Sequence, residues 1–273
     1  MQRLFEVGFA KKEHYPALKE LWQGVFGDTR ESIDHFFKNV VTDKNVICAF
    51  CNGEPVSVLY AVESNIHING SSLRAYYIYA VCTKEEYRGN KLSQLTFSFL
   101  EKLSAERDIA YLYLVPAQKS LFKLYEALGF SVAFTFKQVA IERDAFPHKR
   151  TEAQPLTFEA YKSARERYLE APYTEFTKEG FNAFYSYIAP SMQSFCIEGK
   201  GYAVFEKENG VVTVHECIGD RAELLSAVFS KTEAETIFVR GSAKDSSEPY
   251  GMLKALNGAL LFSNGFIGVS YGG

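Results

Sequence analysis

Residues 81–93, VCTKEEYRGNKLS, leave an apolar run, pass through a basic turn that carries Gly89, and lead into LTFSFLEKL (95–103), whose apolar residues recur at helical spacing. A strand ending in such a turn at the start of a helix presents free backbone N–H groups to a diphosphate. The stretch therefore predicts a strand–turn–helix unit that takes a phosphate-bearing cofactor.

Upstream, LFEVGF (4–9) reads as a short strand, and HYPALKELWQGVF (14–26) puts Leu18, Leu21, Trp22, Val25 and Phe26 on one helical stripe. Phe36, Phe37 and Val40 mark a second helix. Three strands follow, NVICAFC (45–51), EPVSVLYAVESNIHI (54–68) and SSLRAYYIYAVCT (71–83), separated by Asn52-Gly53 and Asn69-Gly70. Tight hairpins favour Asn-Gly because both central residues need positive φ, so these strands are expected to form an antiparallel meander. Downstream come a helix beginning near Asn90, the strand IAYLYLV (109–115), the helix KSLFKLYEAL (119–128) closed by Gly129, and SVAFTFKQVAIE (131–142), read as one strand. This order predicts an α/β fold of the α+β type, a mixed parallel and antiparallel sheet flanked by helices.

Residues 144–156, DAFPHKRTEAQPL, hold two prolines and several charges between periodic segments, which marks them as a linker. Two domains are expected, residues 1–145 and 155–273. In the second, FEAYKSARERYLE (158–170) and KEGFNAFYSYI (178–188) read as helices, GYAVFEKENGVVTVHECI (201–218) as a hairpin about Asn209-Gly210, RAELLSAVF (221–229) as a helix and TIFVRG (236–241) as a strand. The order echoes the first half and suggests tandem copies of one architecture.

Hydrophobic residues make up 47% of the 273 residues and aromatics 15%, enough for two packed cores. A net charge of −3 without a block of like charge argues against a nucleic-acid backbone or an anionic membrane as partner. No run approaches the ~20 apolar residues of a membrane span, so a soluble protein is expected. Five cysteines, an odd number without repeated spacing, and an opening MQRLFEVGFAKKE without an apolar leader point to the cytoplasm. Cys48 and Cys51 form a lone CxxC on a strand that turns them to opposite faces, so no metal is expected.

The stretch from Tyr79 to Leu103, followed by VPAQKSLFKLYEALGF (115–130), resembles the GNAT superfamily of acyl-CoA-dependent N-acyltransferases. The family's hallmark is Arg or Gln, two residues, Gly, one residue, then Gly or Ala, set after a strand and opening a helix. Here the segment is Arg88, Gly89, Asn90, Lys91, Leu92, Ser93, with Lys91 where the family has its central glycine and Ser93 at the last small position. A lysine there suits a phosphate if its φ is ordinary and its side chain points outward.

The resemblance implies tandem GNAT-like domains with a catalytic first half and a degenerate second half, a layout similar to the enhanced intracellular survival proteins. It implies acetyl-CoA as cosubstrate, bound by residues 88–93 and by backbone groups of Ala80, Val81 and Cys82. It also implies that Tyr125, four residues before the Gly129-Phe130 pair, protonates the departing thiolate. Cys82 is then a small buried residue, and only His67 stands near enough in sequence to act as a base for it. For the general base, Glu63 and the terminal carboxylate of Gly273 are the candidates, with water as a third. Trp22, Phe26, Tyr77 and Tyr79 are expected to wall an acceptor pocket for a primary amine of a small molecule or peptide. In the second half Asp220 would cap its helix and repel a phosphate, and His215 reads as a half-buried strand residue. A non-catalytic acyl-CoA sensor and a tRNA-dependent aminoacyl transferase are the competing functions, and self-association is left open.

Overall fold

The computed structural model describes residues 4–145, 152–188, 190–241 and 248–268. The three Asn-Gly turns expected to form hairpins have the backbone required of them, with φ of 52° and 81° at Asn52 and Gly53, 49° and 75° at Asn69 and Gly70, and 49° and 82° at Asn209 and Gly210. They join strand β2 (Val46–Cys51) to β3 (Glu54–Ile68), β3 to β4 (Ser71–Thr83), and β10 (Gly201–Glu208) to β11 (Val211–Gly219). Ahead of these lie β1 (Phe5–Phe9) and the helices α1 (Tyr15–Phe26) and α2 (Arg30–Asn39). After β4 come α3 (Leu92–Glu106), β5 (Tyr111–Leu114) and α4 (Phe122–Ala127), the last preceded by a 3₁₀ turn at Lys119–Leu121.

The expected single strand over 131–142 is two, β6 (Ser131–Thr135) and β7 (Lys137–Glu142), in different sheets. Its alternation is continuous, but partners decide where a strand goes, and β7 pairs residue for residue with β12 (Thr236–Gly241). Three strands carry no clear period in the sequence: β8 (Tyr173–Phe176), β9 (Met192–Ile197) and β13 (Pro249–Ala255). The helices α5 (Phe158–Tyr168), α6 (Lys178–Ile188) and α7 (Arg221–Thr232) lie where expected. Near the end of the described chain Gly265 and Phe266 make isolated bridges to Phe134 and Tyr173, and Gly273, a candidate general base through its carboxylate, lies outside the described residues.

The result is a mixed α/β architecture with two sheets. One runs β1-β2-β3-β4-β5-β13-β6 with β8 paired to β3, and the other runs β7-β12-β11-β10-β9. Chain contacts group into two units. The first holds residues 1–65, 73–131 and 252–261, and the second holds 66–72, 132–251 and 262–273.

In the first unit, β4 and β5 run parallel with Tyr77 opposite Tyr113. Alternation along β4 sends Tyr77 and Tyr79 to one face and Tyr76 and Ile78 to the other. The first face carries an aromatic layer in which Trp22 lies 5.3 Å from Tyr60 and 5.4 Å from Tyr79, and Phe36 lies 5.3 Å from each of those tyrosines. The second face is a core of Ile78, Phe97, Leu100, Tyr125, Phe130 and Met252. Met252 reaches it because β13 pairs antiparallel with β5, Met252 opposite Leu114 and Lys254 opposite Leu112.

In the second unit, α7 lays Leu224, Leu225, Val228 and Phe229 onto Phe205, Val214, Ile237 and Val239. A fully buried ion pair joins α5 to β11: Arg165 Nη2 donates to both carboxylate oxygens of Glu216 at 2.9 Å, and Nη1 donates to the Thr174 carbonyl at 2.6 Å. Tyr202 donates to Glu216 as well. A pair of this kind contributes little net stability when whole, but removing one partner strands the other charge away from water. Glu216→Gln is therefore expected to lower unfolding stability by about 3–5 kcal/mol in urea denaturation, whereas breaking an exposed pair such as Lys178–Glu159 should leave the denaturation midpoint nearly unchanged.

Candidate active site

Strand β4 does not run straight to its end. Ala80 has φ of 47°, a left-handed conformation that an alanine adopts only under constraint, and it breaks the strand's alternation three residues after the register with β5 stops at Tyr77. Past it, Val81, Cys82 and Thr83 line a cleft of about 860 Å³ in the first unit. Ser57 on β3 holds this end in place, donating to the Cys82 carbonyl at 3.2 Å and meeting the Thr83 hydroxyl at 2.8 Å. Nothing in the residue types around Ala80 signals this kink, since alanine favours neither positive φ nor a bulge.

The turn that follows forms the floor of the same cleft. Arg88, Gly89, Lys91, Leu92 and Ser93 all line it, together with Gln94. Asn90 does not, because its side-chain amide donates to the Tyr87 carbonyl at 2.9 Å and braces the turn. Lys91 is the N-cap of α3 and has φ of 56° and ψ of 29°. The condition of an ordinary φ at this lysine is therefore not met: the backbone takes the left-handed conformation that glycine supplies without cost. The turn geometry requires it, since Gly89, two residues earlier, is also left-handed at φ 82°.

Helices α2, α5 and α7 begin with a side-chain oxygen, from Thr29, Thr157 and Asp220, accepting a first-turn N–H. Helix α3 has no such cap. Its first-turn N–H groups open on the cleft, with the positive end of the helix dipole behind them, so an anion can take the place a capping side chain would fill. At α7 the Asp220 carboxylate accepts from the Glu223 amide at 3.3 Å and pairs with Lys200 at 3.0 Å, and the Lys200 hydrogen bond holds its pKa below the usual carboxylate range. That helix end is already filled by a negative charge.

The opposite wall comes from α4 and the segment before it. Leu121, Leu124, Tyr125 and Leu128 line the cleft. Tyr125 is 6% exposed, its ring held edge-on by Phe97 at 6.2 Å and Phe130 at 6.0 Å. The spacing of Tyr125, Gly129 and Phe130 has a backbone cause. Phe130 N–H donates to the Tyr125 carbonyl at 3.0 Å and Gly129 N–H to the Glu126 carbonyl at 2.9 Å, with Gly129 at φ 86°; these are the two bonds of a Schellman helix end. The accompanying apolar contact is the Phe130 ring on Tyr125. Burial, with Cys82 nearby, pushes the Tyr125 hydroxyl up to about 12, so it keeps its proton at neutral pH.

Burial also pushes the Cys82 thiol up to about 12, with Arg88 pulling weakly the other way. A thiol in that state is no nucleophile at neutral pH. His67 does not line the cleft; it stacks on Tyr173 at 4.5 Å and lies 3.3 Å from Glu175. Glu63 is half-exposed, paired with Arg74 at 3.6 Å, and does not line the cleft. Of the aromatics expected around an acceptor, only Phe26 lines the cleft. Trp22 and Tyr77 are buried in the aromatic layer, Trp22 donating to Asp28 at 2.6 Å. His215 is fully buried rather than half-buried. It sits at the β10–β11 bulge with Nδ1 3.2 Å from Arg240 and Nε2 3.0 Å from Glu206, and burial followed by the Arg240 charge lowers its pKa.

A kinked strand, an uncapped helix start after a basic turn and a protonated tyrosine on the far wall now share one cleft, and residues 6–133 match the family model described as Acetyltransferase (GNAT) domain. Residues 6–133 are a GNAT domain. The fold extends the likeness over nearly the whole chain. A GCN5-related N-acetyltransferase from Kribbella flavida superposes with a TM-score of 0.75 at 14% identity, covering 93% of this chain and 72% of that one. The GCN5-related N-acetyltransferase from Anabaena variabilis gives 0.75 at 15% identity, over 93% and 73%. Eis1 from Mycobacterium abscessus gives 0.68 at 12% identity, over 92% and 73%. No curated protein matches the sequence. Among the described residues no helix is long and apolar enough to cross a membrane.

Lys91→Gly tests the strained turn. Relieving the left-handed lysine gains about 1–2 kcal/mol, partly offset by the freedom glycine adds to the unfolded chain, for a net stabilisation of roughly 0.5–1 kcal/mol in urea denaturation. An unchanged or lowered stability would mean that the lysine side chain contributes more than its backbone costs.

Proposed function

We propose that the protein is an N-acetyltransferase that moves the acetyl group of acetyl-CoA to a primary amine of a small molecule or peptide, by direct attack within a ternary complex. The observation that carries this reading is the joint placement, in one cleft, of the uncapped start of α3 and the protonated hydroxyl of Tyr125. A cosubstrate with a diphosphate at one end and a thioester at the other matches that pair of features.

The residues present suit such a molecule. A Cβ added at Gly89 would meet nothing within 4 Å, so the turn's backbone is open to a phosphate, and Arg88 and Lys91 add exposed positive charge beside the α3 N–H groups. In this assignment Arg88 to Ser93 hold the pyrophosphate, with Asn90 acting through the shape of the turn. Ala80, Val81 and Cys82 meet the pantetheine arm and the acyl carbonyl through their backbone; the Cys82 carbonyl already accepts from Ser57, and the left-handed turn at Ala80 redirects the peptide groups on either side of it. The thioester supplies an activated carbonyl. Backbone N–H groups stabilise the charge that develops on its oxygen, and Tyr125 donates its proton to the sulfur as the bond to carbon breaks. A pKa near 12 makes Tyr125 a donor that stays loaded, and a thiolate forming beside it is poorly solvated and takes the proton readily.

Residues 1–145 carry catalysis in this reading, and 155–273 form a degenerate GNAT-like half without cofactor, since its corresponding helix start is occupied by Asp220. The five free cysteines suit a reducing cytoplasm.

Two measurements test the reading. Acetyl-CoA and CoA at about 100 times their dissociation constants should stabilise the protein by roughly 2.7 kcal/mol, and acetyl-CoA should be consumed in the presence of an amine panel. Absence of any thermal shift sinks the assignment, and a shift without turnover favours the sensor. Tyr125→Phe should lower kcat by about 10²–10⁴-fold while leaving acetyl-CoA affinity nearly unchanged. Because Tyr125 ionises only near 12, the wild-type kcat should show no alkaline fall from loss of its proton between pH 7 and pH 10; such a fall that disappears in Tyr125→Phe would contradict the assigned protonation state.

A further inference from the structure

The helix that carries Tyr125 is only six residues long, too short to hold its own shape. Its Schellman end satisfies two carbonyls, those of Tyr125 and Glu126. The carbonyl of Leu128, the residue that caps the helix, is taken by a side chain from far along the chain: Lys254 Nζ donates to it at 2.8 Å and to Glu101 Oε1 at 2.6 Å. Lys254 lies on β13, opposite Leu112 of β5, and Glu101 lies on α3, whose first turn opens on the cleft. One ammonium thus ties the helix with the hydroxyl to the helix with the free N–H groups, from a strand that belongs to neither.

The fit around it is close. A Cβ at Gly129 would stand 3.3 Å from both Cε and Nζ of Lys254, so Gly129 serves the left-handed helix end and the approach of the ammonium together. A cation at this place also matches the negative end of the helix. Yet Lys254 and Glu101 are 20% and 34% exposed, and an ion pair so placed adds little to global stability. Lys254 is not among the residues that line the cleft. Its value lies in where it holds α4.

We propose that Lys254 is a positioning residue for Tyr125, fixing the end of α4 through the Leu128 carbonyl and the Glu101 carboxylate so that the hydroxyl stays aimed into the cleft. The catalytic half of the inference rests on Tyr125 as the proton donor; the positioning half does not.

The experiment uses the full chain with Lys254→Met and Lys254→Arg, and reads two quantities. Amide hydrogen exchange at Gly129 and Phe130 should speed up by about tenfold or more in Lys254→Met, with α3 and β5 unchanged, and return towards wild type in Lys254→Arg. In steady-state kinetics with acetyl-CoA, Lys254→Met should lower kcat by about tenfold at nearly constant KM for acetyl-CoA, and should add no further loss in a Tyr125→Phe background. Unchanged exchange at Gly129 and Phe130 overturns the proposal, and so does an equal loss of kcat in the wild-type and Tyr125→Phe backgrounds, which is the mark of a general structural role. If Lys254→Met does not fold, Glu101→Gln loosens the same ammonium with the lysine in place and should show the same exchange signature at smaller size; its absence also overturns the proposal. A wild-type protein that transfers no acetyl group would defeat the proposed function while leaving the exchange test intact.

Discussion

The antiparallel pairing of Met252–Ala255 with Tyr111–Leu114 is the constraint on which the first unit depends. Through it a segment more than a hundred residues distant in sequence enters the core around Tyr125, with Met252 fully buried among Ile78, Phe97 and Phe130, and Lys254 bonded to the end of α4. The strand that local alternation would continue into this sheet, β7, instead pairs β12 in the other one. Chain order and spatial order separate at this point. The cleft is consequently lined by the first half of the sequence, and a short piece of the last 25 residues backs one of its walls.

Left-handed backbone at residues with side chains occurs in both units, at Glu233 and at several asparagines as well, and part of it lies where the proposed chemistry does. Two residues with side chains, Ala80 and Lys91, take left-handed backbone conformations on either side of the cleft-lining segment. Each costs of order 1–2 kcal/mol, a sum comparable to a sizeable part of a domain's net stability. Such conformations persist only when their surroundings over-determine them. At Ala80 the constraint comes from neighbouring strands and from Ser57 holding the residues that follow; at Lys91 it comes from a turn braced by Asn90.

The second unit shows the contrasting solution to the same helix end. Asp220 fills the start of α7 with its own carboxylate, tied to Lys200, where α3 leaves its N–H groups open. A helix end closed by an internal anion gains stability and loses the capacity to hold an external one. The second unit also buries charge in the Arg165–Glu216 pair and in the row from Glu206 through His215 to Arg240. The opposite charges in each group lie against one another, at 2.9 Å between Arg165 and Glu216 and 3.0 Å between His215 and Glu206.

The sequence by itself determined everything governed by short-range chemistry. The Asn-Gly turns located the hairpins, the apolar stripes located the helices, and the order of basic turn, helix start and Tyr125 with Gly129-Phe130 pointed to a GNAT domain, because each signal acts between residues a few positions apart. The tertiary structure alone decided the rest. It split residues 131–142 between two sheets and brought β13 beside β5, choices that turn on partners remote in sequence. Trp22 and Tyr77, read as pocket walls, went into the core, since aromatic composition does not say which face of a strand is covered. The left-handed backbone at Ala80 and Lys91 and the bond from Lys254 to Leu128 were likewise invisible, because neither residue type favours positive φ and no local rule connects position 254 to position 128. The opening turn at 81–93 was legible as a seat for an anion; how rigidly the cleft around it is held was written only in those long-range contacts.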